Sequence, residues 1–241
     1  MIKAVLFDMD GTLLPMDVKS FEKLYFKSLA ARVAPLGYKP QELIDGIWRG
    51  TMAMVANDGS APNSEVFWRV FAGIFGEQAH QHVALFDEYY RTDFVVARAA
   101  CGVNHKAAEL VQSLKKGGLT VVVATNPLFP LVAQQQRLLW SGVDEKNVDL
   151  ITHYDNCHFC KPNLNYYKEV LSALNLSAEE CLMVGNDVGE DMIASELGMK
   201  VFLITDCLLN PDNKDISCYP HGTFDDLADY LRNTLGLHLN K

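Results

Sequence analysis

The sequence has little positive charge, and this limits the partners that it can bind. Among its 241 residues, 21 are Lys or Arg and 30 are Asp or Glu, which gives a formal net charge of -9 at pH 7. Because binding to a phosphate backbone needs a basic face, this charge argues against nucleic acid as a partner. A small phosphorylated substrate remains compatible with it, since a metal ion and one or two cations can reverse the field inside a cleft.

Long apolar runs and a dense cysteine framework are also missing. No run approaches the roughly 18 apolar residues of a membrane span. The first apolar stretch is interrupted by Asp8 and Asp10 and has no small-residue cleavage site, so we expect no signal peptide. The six cysteines are scattered, as in proteins of a reducing compartment. These absences predict a cytoplasmic protein without a membrane partner, and either a monomer or a homodimer is compatible with them.

What the sequence does contain is an alternation of strand and helix patterns. Short runs rich in Val, Ile and Leu are typical of strands that are buried on both faces of a parallel sheet. They occur at residues 2–8, 119–125, 148–152, 181–185 and 200–205. Helical patterns occur at about 104–117, 129–140, 163–174, 188–197 and 223–235. This order predicts an α/β fold with a doubly wound, Rossmann-like parallel sheet.

Residues 16–98 interrupt the alternation and show helical spacing instead of strands. Apart from a first helix around Phe21 to Leu29, helical stretches are predicted near 40–56, 64–75 and 79–92. We therefore expect a smaller helical cap domain, residues 16–98, inserted after the first strand of a core domain formed by residues 1–15 and 99–241.

Polar side chains follow the predicted strands at the points where they end. In an open parallel sheet, ligands bind beyond the carboxyl ends of the strands. The residues at these ends are Asp8, Asp10, Thr125, Asn126, Asp187, Glu190 and Asp191, and Lys161 follows the third strand by one loop. The sequence therefore predicts that several carboxylates, one hydroxyl and one ammonium group meet at one edge of the sheet.

Four segments at these positions resemble the ordered motifs of the haloacid dehalogenase-like hydrolase superfamily. They read "VLFDMDGTLL", "VVVATNP", "KPN" and "MVGNDVGEDM". The resemblance covers residues 1–15 and about 99–235, and the predicted cap matches in position and helical character. It implies the phosphatase branch of the superfamily with a helical cap of the C1 type.

The resemblance also implies a role for each residue of the motifs. Asp8 would attack phosphorus and form an aspartyl phosphate, and Asp10 would act as general acid and then as general base. Thr125, Asn126 and Lys161 would bind the phosphoryl group of a small phosphorylated substrate. Mg²⁺ would be held by Asp8, Asp10 (through its backbone carbonyl), Asp187 and Asp191. Glu190 is expected beside this set, outside the direct ligands.

Other functions remain open at this point. Asp10 favours phosphoryl transfer over dehalogenation, because a halide leaving group needs no proton, but a phosphomutase of the β-phosphoglucomutase type would also keep both aspartates. A non-catalytic binding protein on the same fold is a further alternative. Acidic residues such as Asp187 and Asp191 also occur at helix N-termini for purely structural reasons.

The segment "THYDNCHFCKPN" (152–163) adds a second kind of chemistry next to Lys161. Cys157 and Cys160 form a C-x-x-C pair, which is typical of zinc or thiol sites. A structural zinc ion takes four protein ligands, so both His153 and His158 would have to complete the site. We expect Lys161 to be the catalytic group and the cysteines to be its neighbours without a catalytic role.

Substrate specificity is expected to come from the cap, which would close over the site and exclude water. Arg49 and Arg69 stand next to Trp48 and Trp68 and are candidates for contacts with a second anionic or sugar group, although such residues are more often helix surface and cap core.

Overall fold

A six-stranded parallel sheet forms the centre of the protein in the computed structural model, which describes residues 1–236. The strand order is β3-β2-β1-β4-β5-β6. The strands are β1 (Ala4–Phe7), β2 (Thr120–Val123), β3 (Leu150–Ile151), β4 (Cys181–Gly185), β5 (Lys200–Ile204) and β6 (His221–Gly222). Each of the five predicted runs contains one of the first five strands, and the predicted α/β fold class is confirmed.

The central strand β1 explains why the predicted strands are almost continuously apolar. All four of its residues are buried. Val5 and Phe7 belong to one hydrophobic cluster, whereas Ala4 and Leu6 belong to another. Since neighbouring residues of a strand point to opposite faces, both faces of the sheet are covered. Phe7 pairs with Val123 of β2 and also with Val184 of β4, so these three strands end at the same level.

Helices alternate with the later strands, as the sequence predicts. They are α5 (His105–Lys116), α6 (Leu131–Ser141), α7 (Leu164–Leu174) and α8 (Phe224–Leu235). The start of α8 is defined by a capping box in which Thr223 and Asp226 bond each other's backbone amides. Within residues 1–236, every helix is too short or too polar to cross a membrane.

Three parts of the secondary-structure prediction differ from the structure. In the stretch predicted near 79–92, residues up to His82 belong to a 3₁₀ helix, and the α-helix begins at Val83. The strand β6 was not predicted, because two residues are too short to show a pattern. The predicted helix at 188–197 is wrong in its first half: a 3₁₀ helix covers Met192–Leu197, and a turn precedes it. The carboxylate of Asp187 accepts hydrogen bonds from the amides of Gly189 and Glu190, and these bonds close a turn in place of a helical one.

The segment between β1 and α5 is helical. Its α-helices are α1 (Val18–Val33), α2 (Pro40–Val55), α3 (Asn63–Phe75) and α4 (Val83–Arg91), and its 3₁₀ helices are Ala34–Leu36, Glu77–His82 and Asp93–Ala100. We call α1 to α4 together with these 3₁₀ helices the helical segment. Its assignment as a separate cap domain with bounds 16–98 stays a prediction.

Aromatic side chains connect the helical segment to the sheet. Tyr25 of α1 lies edge-on to Phe129, with ring centroids 5.6 Å apart, and Phe94 lies against Trp140 of α6 at 5.0 Å. One hydrophobic cluster includes residues of the helical segment together with residues of β1 and β2. The helical segment therefore packs above the sheet through a shared apolar core.

Gly11 lies in the loop that follows β1, and its surroundings leave no room for a side chain. Its φ is +89°, and a Cβ at this position would overlap the side chain of Asn186, which accepts a hydrogen bond from Thr12 Oγ1 at 3.0 Å. Gly118 has a similar φ of +81° but open space around it. We expect Gly11→Ala to lower the free energy of unfolding by roughly 2–4 kcal/mol and Gly118→Ala by about 1 kcal/mol, because only the first variant adds a clash to the backbone strain.

Urea unfolding of both variants measures this difference. Equal losses in the two variants would show that the contact between Gly11 and Asn186 does not constrain the loop.

Candidate active site

The predicted residues of the first motif lie where β1 ends. The backbone amide of Asp8 still donates to Val184 O at 2.8 Å, so Asp8 continues the ladder between β1 and β4. The chain then turns away at Gly11, with the Gly11 amide donating to Leu14 O at 2.7 Å. As a result, the Asp8 side chain points beyond the strand end and is mostly buried, with 13% of it exposed.

Lys161 is the buried cation of the site. Its side chain is fully buried, and Nζ donates to Asp8 Oδ1 at 2.9 Å and to Asp191 Oδ1 at 2.6 Å. Burial alone would lower the pKa of Lys161, but the carboxylates of Asp191 and Asp8 outweigh this effect and raise the pKa well above its ordinary value. The lysine is therefore a permanent positive charge that connects the ends of two strands.

The turn after β4 places two further carboxylates. The amide of Asp187 donates to Asp191 Oδ2 at 3.0 Å, while Asp187 Oδ1 accepts from two amides of the turn. Burial raises the pKa of Asp191 above its ordinary value, against the opposing charge of Lys161. A Cβ on Gly185 would overlap the carboxylate of Asp191, so a glycine is required for this close approach.

Asn126 and Glu190 hold the lysine loop in position. Asn126 Oδ1 accepts from the amide of Lys161 at 3.3 Å, and Asn126 Nδ2 donates to both carboxylate oxygens of Glu190 at 3.1 and 3.0 Å. Burial raises the pKa of Glu190 to about 7, although the charge of Lys161 opposes the shift. The Asn126 side chain thus contacts the protein in this structure, and its predicted contact with phosphate stays a prediction.

Thr125 is buried at the end of β2, beside the lysine loop. Its carbonyl accepts hydrogen bonds from Thr152 Oγ1 at 2.7 Å and from the hydroxyl of Tyr166 at 3.0 Å. These bonds determine the position of the Thr125 backbone. Its predicted role as a hydroxyl donor to the phosphoryl group stays a prediction.

Asp10 is paired with a residue that the sequence analysis missed. Arg137 is buried, with 2% of its side chain exposed, and Nη1 donates to Asp10 Oδ2. The guanidinium also donates to Gln134 and lies 4.7 Å from the centroid of the Phe129 ring. Burial raises the pKa of Asp10, and the charge of Arg137 opposes this. Asp10 Oδ1 is buried and has no hydrogen-bond partner among residues 1–236.

A sequence signal for Arg137 exists in the pattern of α6. The buried positions of this helix include Ala133, Gln134, Arg137, Leu138 and Ser141, which recur at helical spacing along one face. A charged residue and an amide therefore occupy the face that packs on the core. Since buried charges need partners, an arginine on such a face indicates a buried acidic partner.

The C-x-x-C pair does not form a metal or redox site in this structure. Cys157 and Cys160 are both buried, and burial raises the pKa of each thiol, for Cys160 to about 12. His158 Nδ1 lies 2.5 Å from Glu169, and His153 pairs with Asp155. Within residues 1–236, no group of three or more His, Cys, Asp and Glu side chains is arranged to hold a metal ion. The thiols are protonated core residues in this environment.

The absence of such a group among residues 1–236 also applies to the carboxylates of the candidate site. Magnesium usually keeps several waters and needs only one or two protein carboxylates, so a cluster of three is not required. The oxygen-rich donor set fits this ion: five carboxyl groups (Asp8, Asp10, Asp187, Glu190 and Asp191) lie at or just after the strand ends. Arg137 pairs with Asp10, and Lys161 pairs with Asp8 and Asp191. A divalent cation would offset negative charge that these two cations leave uncompensated.

The tryptophans and arginines that were candidates for specificity lie in different places. Trp48 and Trp68 both line a cavity next to Asp10. Arg49 and Arg69 are exposed, and Arg69 lines a separate, open depression of the surface. Neither arginine lines the cavity at Asp10.

Comparisons with known proteins agree with the motifs and with the fold. A family model described as haloacid dehalogenase-like hydrolase matches residues 2–196. A curated protein named glyceraldehyde 3-phosphate phosphatase, from Methanothermobacter thermautotrophicus, is 26% identical over 207 residues, which are 85% of this chain and 86% of the relative.

Solved structures show the same fold at lower identity. A 2-haloacid dehalogenase from Pseudomonas syringae aligns with a TM-score of 0.61 and 21% identity, over 97% of this chain and 100% of that one. A haloacid dehalogenase-type phosphatase from Thermococcus onnurineus aligns with a TM-score of 0.57 and 18% identity, over 99% of this chain and 100% of that one. Since the family model covers most of the sequence, the chain belongs to the haloacid dehalogenase-like hydrolases.

Proposed function

We propose that the protein is a phosphatase that hydrolyses a small phosphate monoester through an aspartyl phosphate on Asp8. The observation that supports this most directly is the contact of Lys161 Nζ with Asp8 Oδ1 at 2.9 Å, at the end of the central strand. A phosphate dianion repels a carboxylate, so a nucleophilic aspartate requires a positive charge at the point of attack. Lys161 provides such a charge, and a cavity lined by Asp10 lies in the same site.

The residues present divide the reaction into two steps. In the first step, an oxygen of Asp8 attacks phosphorus, the bond to the leaving oxygen breaks, and Asp10 donates a proton to that oxygen. In the second step, water attacks phosphorus and gives one proton to Asp10, and the bond between phosphorus and the Asp8 oxygen breaks. This restores the Asp8 carboxylate and releases inorganic phosphate. Lys161, Thr125 and the loop that starts at Asn126 would contact the phosphoryl oxygens throughout.

Magnesium is the cofactor that we propose for this site. Asp8, Asp187 and the backbone carbonyl of Asp10 would hold the ion. Asp191 was predicted as a ligand too, but its two oxygens already accept hydrogen bonds from Lys161 and from the Asp187 amide. When bound, the ion neutralises charge on the phosphoryl oxygens and lowers their repulsion from Asp8.

The curated relative supports hydrolysis over transfer to a second acceptor. Its name describes a phosphatase, not a phosphomutase, and it makes glyceraldehyde 3-phosphate a candidate substrate for this chain. Asp10 supports a phosphate ester over a halide, since an alkoxide leaving group needs a proton. A cytoplasmic location, predicted from the composition, is compatible with a metabolite phosphatase and stays a prediction.

Replacement of Asp8 tests the nucleophile. We expect Asp8→Asn to lower kcat/KM for acetyl phosphate at least a thousandfold, because the amide is a far weaker nucleophile while its size is the same. The exposed Asp212 provides the matched control, and Asp212→Asn is expected to keep kcat/KM within twofold.

Phosphate release measures the activity, and far-UV circular dichroism shows that both variants are folded. An Asp8→Asn variant with more than a tenth of the original activity would exclude the aspartyl-phosphate mechanism.

Removal of the metal tests the cofactor. EDTA is expected to abolish phosphate release and added Mg²⁺ to restore it. Asp187→Asn keeps the oxygen that closes the turn but removes the charge, so we expect Mg²⁺ to bind it at least tenfold more weakly, as measured by isothermal titration calorimetry.

The Asp212→Asn variant should bind Mg²⁺ within twofold of the original protein. If EDTA leaves phosphate release unchanged, the magnesium assignment is wrong, whatever the Asp8 variant shows.

The cysteine pair is tested separately. We expect the double variant Cys157→Ala/Cys160→Ala to keep kcat within threefold, because neither thiol contacts Asp8 or Asp10, and to lose about 1–3 kcal/mol of stability from the two small cavities. Elemental analysis should find no zinc in the original protein.

One zinc ion per chain in the original protein, lost together with activity in the double variant, would favour the zinc alternative over a bystander role for the cysteines.

A further inference from the structure

An aromatic cavity lies between the helical segment and the sheet, and Asp10 forms part of its wall. Its volume is about 210 Å³. More than half of its lining residues are aromatic, among them Tyr25, Phe26, Trp48, Phe67, Trp68 and Phe129. The cavity therefore shares Asp10 and Arg137 with the candidate active site and presents mainly ring surfaces.

Much of the polar surface of this cavity is already used by the protein. The hydroxyl groups of Tyr25 and Tyr90 bond each other at 2.9 Å. The terminal nitrogens of Arg137 donate to Asp10 and to Gln134. A substrate with several hydroxyl groups would lose its hydrogen bonds to water here, and the Tyr25 and Tyr90 hydroxyls and the terminal nitrogens of Arg137 would replace few of them because they have their own partners. Asp10 Oδ1, which has no partner among residues 1–236, would bond the leaving oxygen itself.

The position of Asp10 decides which part of a substrate enters the cavity. In the proposed reaction, Asp10 protonates the oxygen that leaves phosphorus, so the carbon group on that oxygen lies next to Asp10. The aromatic cavity is the space that Asp10 lines, and this makes it the place for that carbon group. Trp48 stands at its opening, with 43% of the residue exposed and its ring 5.9 Å from the ring of Phe26.

We propose that the cavity binds the leaving group and that the preferred substrate is a phosphate monoester of an alcohol that carries an aromatic ring. This inference rests on the proposed phosphatase function. The reaction converts the ester and one water into the alcohol and inorganic phosphate. A dry apolar cavity of about 150 Å³ is sufficient to bind benzene, so 210 Å³ accepts one ring together with a short linker. Offset and edge-on contacts with the surrounding rings would stabilise a bound ring.

The curated relative provides a contrasting candidate, since its named substrate has a small, polar leaving group. At 26% identity, the residues that contact a leaving group need not be shared. We therefore expect this protein to prefer a different substrate from the one in the relative's name.

The first experiment compares esters whose leaving groups are all alkyl alcohols, so that differences in leaving ability stay small. The purified protein is assayed with Mg²⁺ for phosphate release from benzyl phosphate, glyceraldehyde 3-phosphate and glycerol 3-phosphate. Acetyl phosphate, which is reactive and too small to fill the cavity, reports the basic reaction. We expect kcat/KM for benzyl phosphate to be at least tenfold higher than for glyceraldehyde 3-phosphate.

A pair of variants on α2 locates the effect. Trp48 and Met52 are both partly exposed on this helix, at 43% and 60%, but only Trp48 lines the cavity. We expect Trp48→Ala to lower the ratio of kcat/KM for benzyl phosphate to that for acetyl phosphate at least fivefold, and Met52→Ala to leave it within twofold. Binding of benzylphosphonate, which cannot be hydrolysed, should weaken in parallel in Trp48→Ala, as measured by calorimetry.

The outcomes separate the two proposals. No phosphate release from any of these compounds, including the acyl phosphate acetyl phosphate, would overturn the phosphatase function and this inference with it. Release from acetyl phosphate and glyceraldehyde 3-phosphate, with benzyl phosphate no better than the triose, would overturn the cavity assignment alone. Equal effects of Trp48→Ala and Met52→Ala would also overturn it.

Discussion

The buried ammonium of Lys161 is the interaction on which the candidate site depends. It lies between Asp8 at the end of β1 and Asp191 after β4, and both contacts are shorter than 3 Å. A buried charge is costly unless it is paired and hydrogen-bonded, and removal of one partner from such a pair typically costs about 3–5 kcal/mol. Because of these pairings, the loop that carries Lys161 and the ends of two strands hold one another in place.

A second cation connects the site to the helical segment. Arg137 lies on α6, pairs with Asp10 and stacks on Phe129, whose ring also contacts Tyr25 of α1. The Arg137 side chain therefore contacts both Asp10 at the strand end and the aromatic core above it. This arrangement leaves one oxygen of Asp10 without a partner among the described residues, at the wall of the aromatic cavity. In the proposed reaction, Asp10 would give its proton to the group that the cavity holds.

The sheet order explains why residues that are far apart in the sequence meet here. β1 pairs with both β2 and β4, so Asp8, Thr125 and the turn at Asp187 follow three adjacent strands. A parallel sheet brings all its carboxyl ends to one edge, and the loops at that edge are free to carry function while the strands stay apolar. The C-x-x-C pair lies in one of these loops too, but both of its thiols are buried: Cys157 packs in a hydrophobic cluster of the sheet, and Cys160 packs in a small cluster with Met54 of α2 and Tyr154.

By itself, the sequence determined the fold class and the edge at which the acidic residues meet. Apolar runs and helical spacing are local signals, and parallel strands bring their ends together whatever the side chains. Only the tertiary structure decided how those side chains are paired. The partnership of Arg137 with Asp10 spans 127 positions of the chain, and that of Lys161 with Asp8 spans 153. Pairs at such separations leave no periodic trace in one sequence, because their distance depends on how helices and loops pack over the sheet.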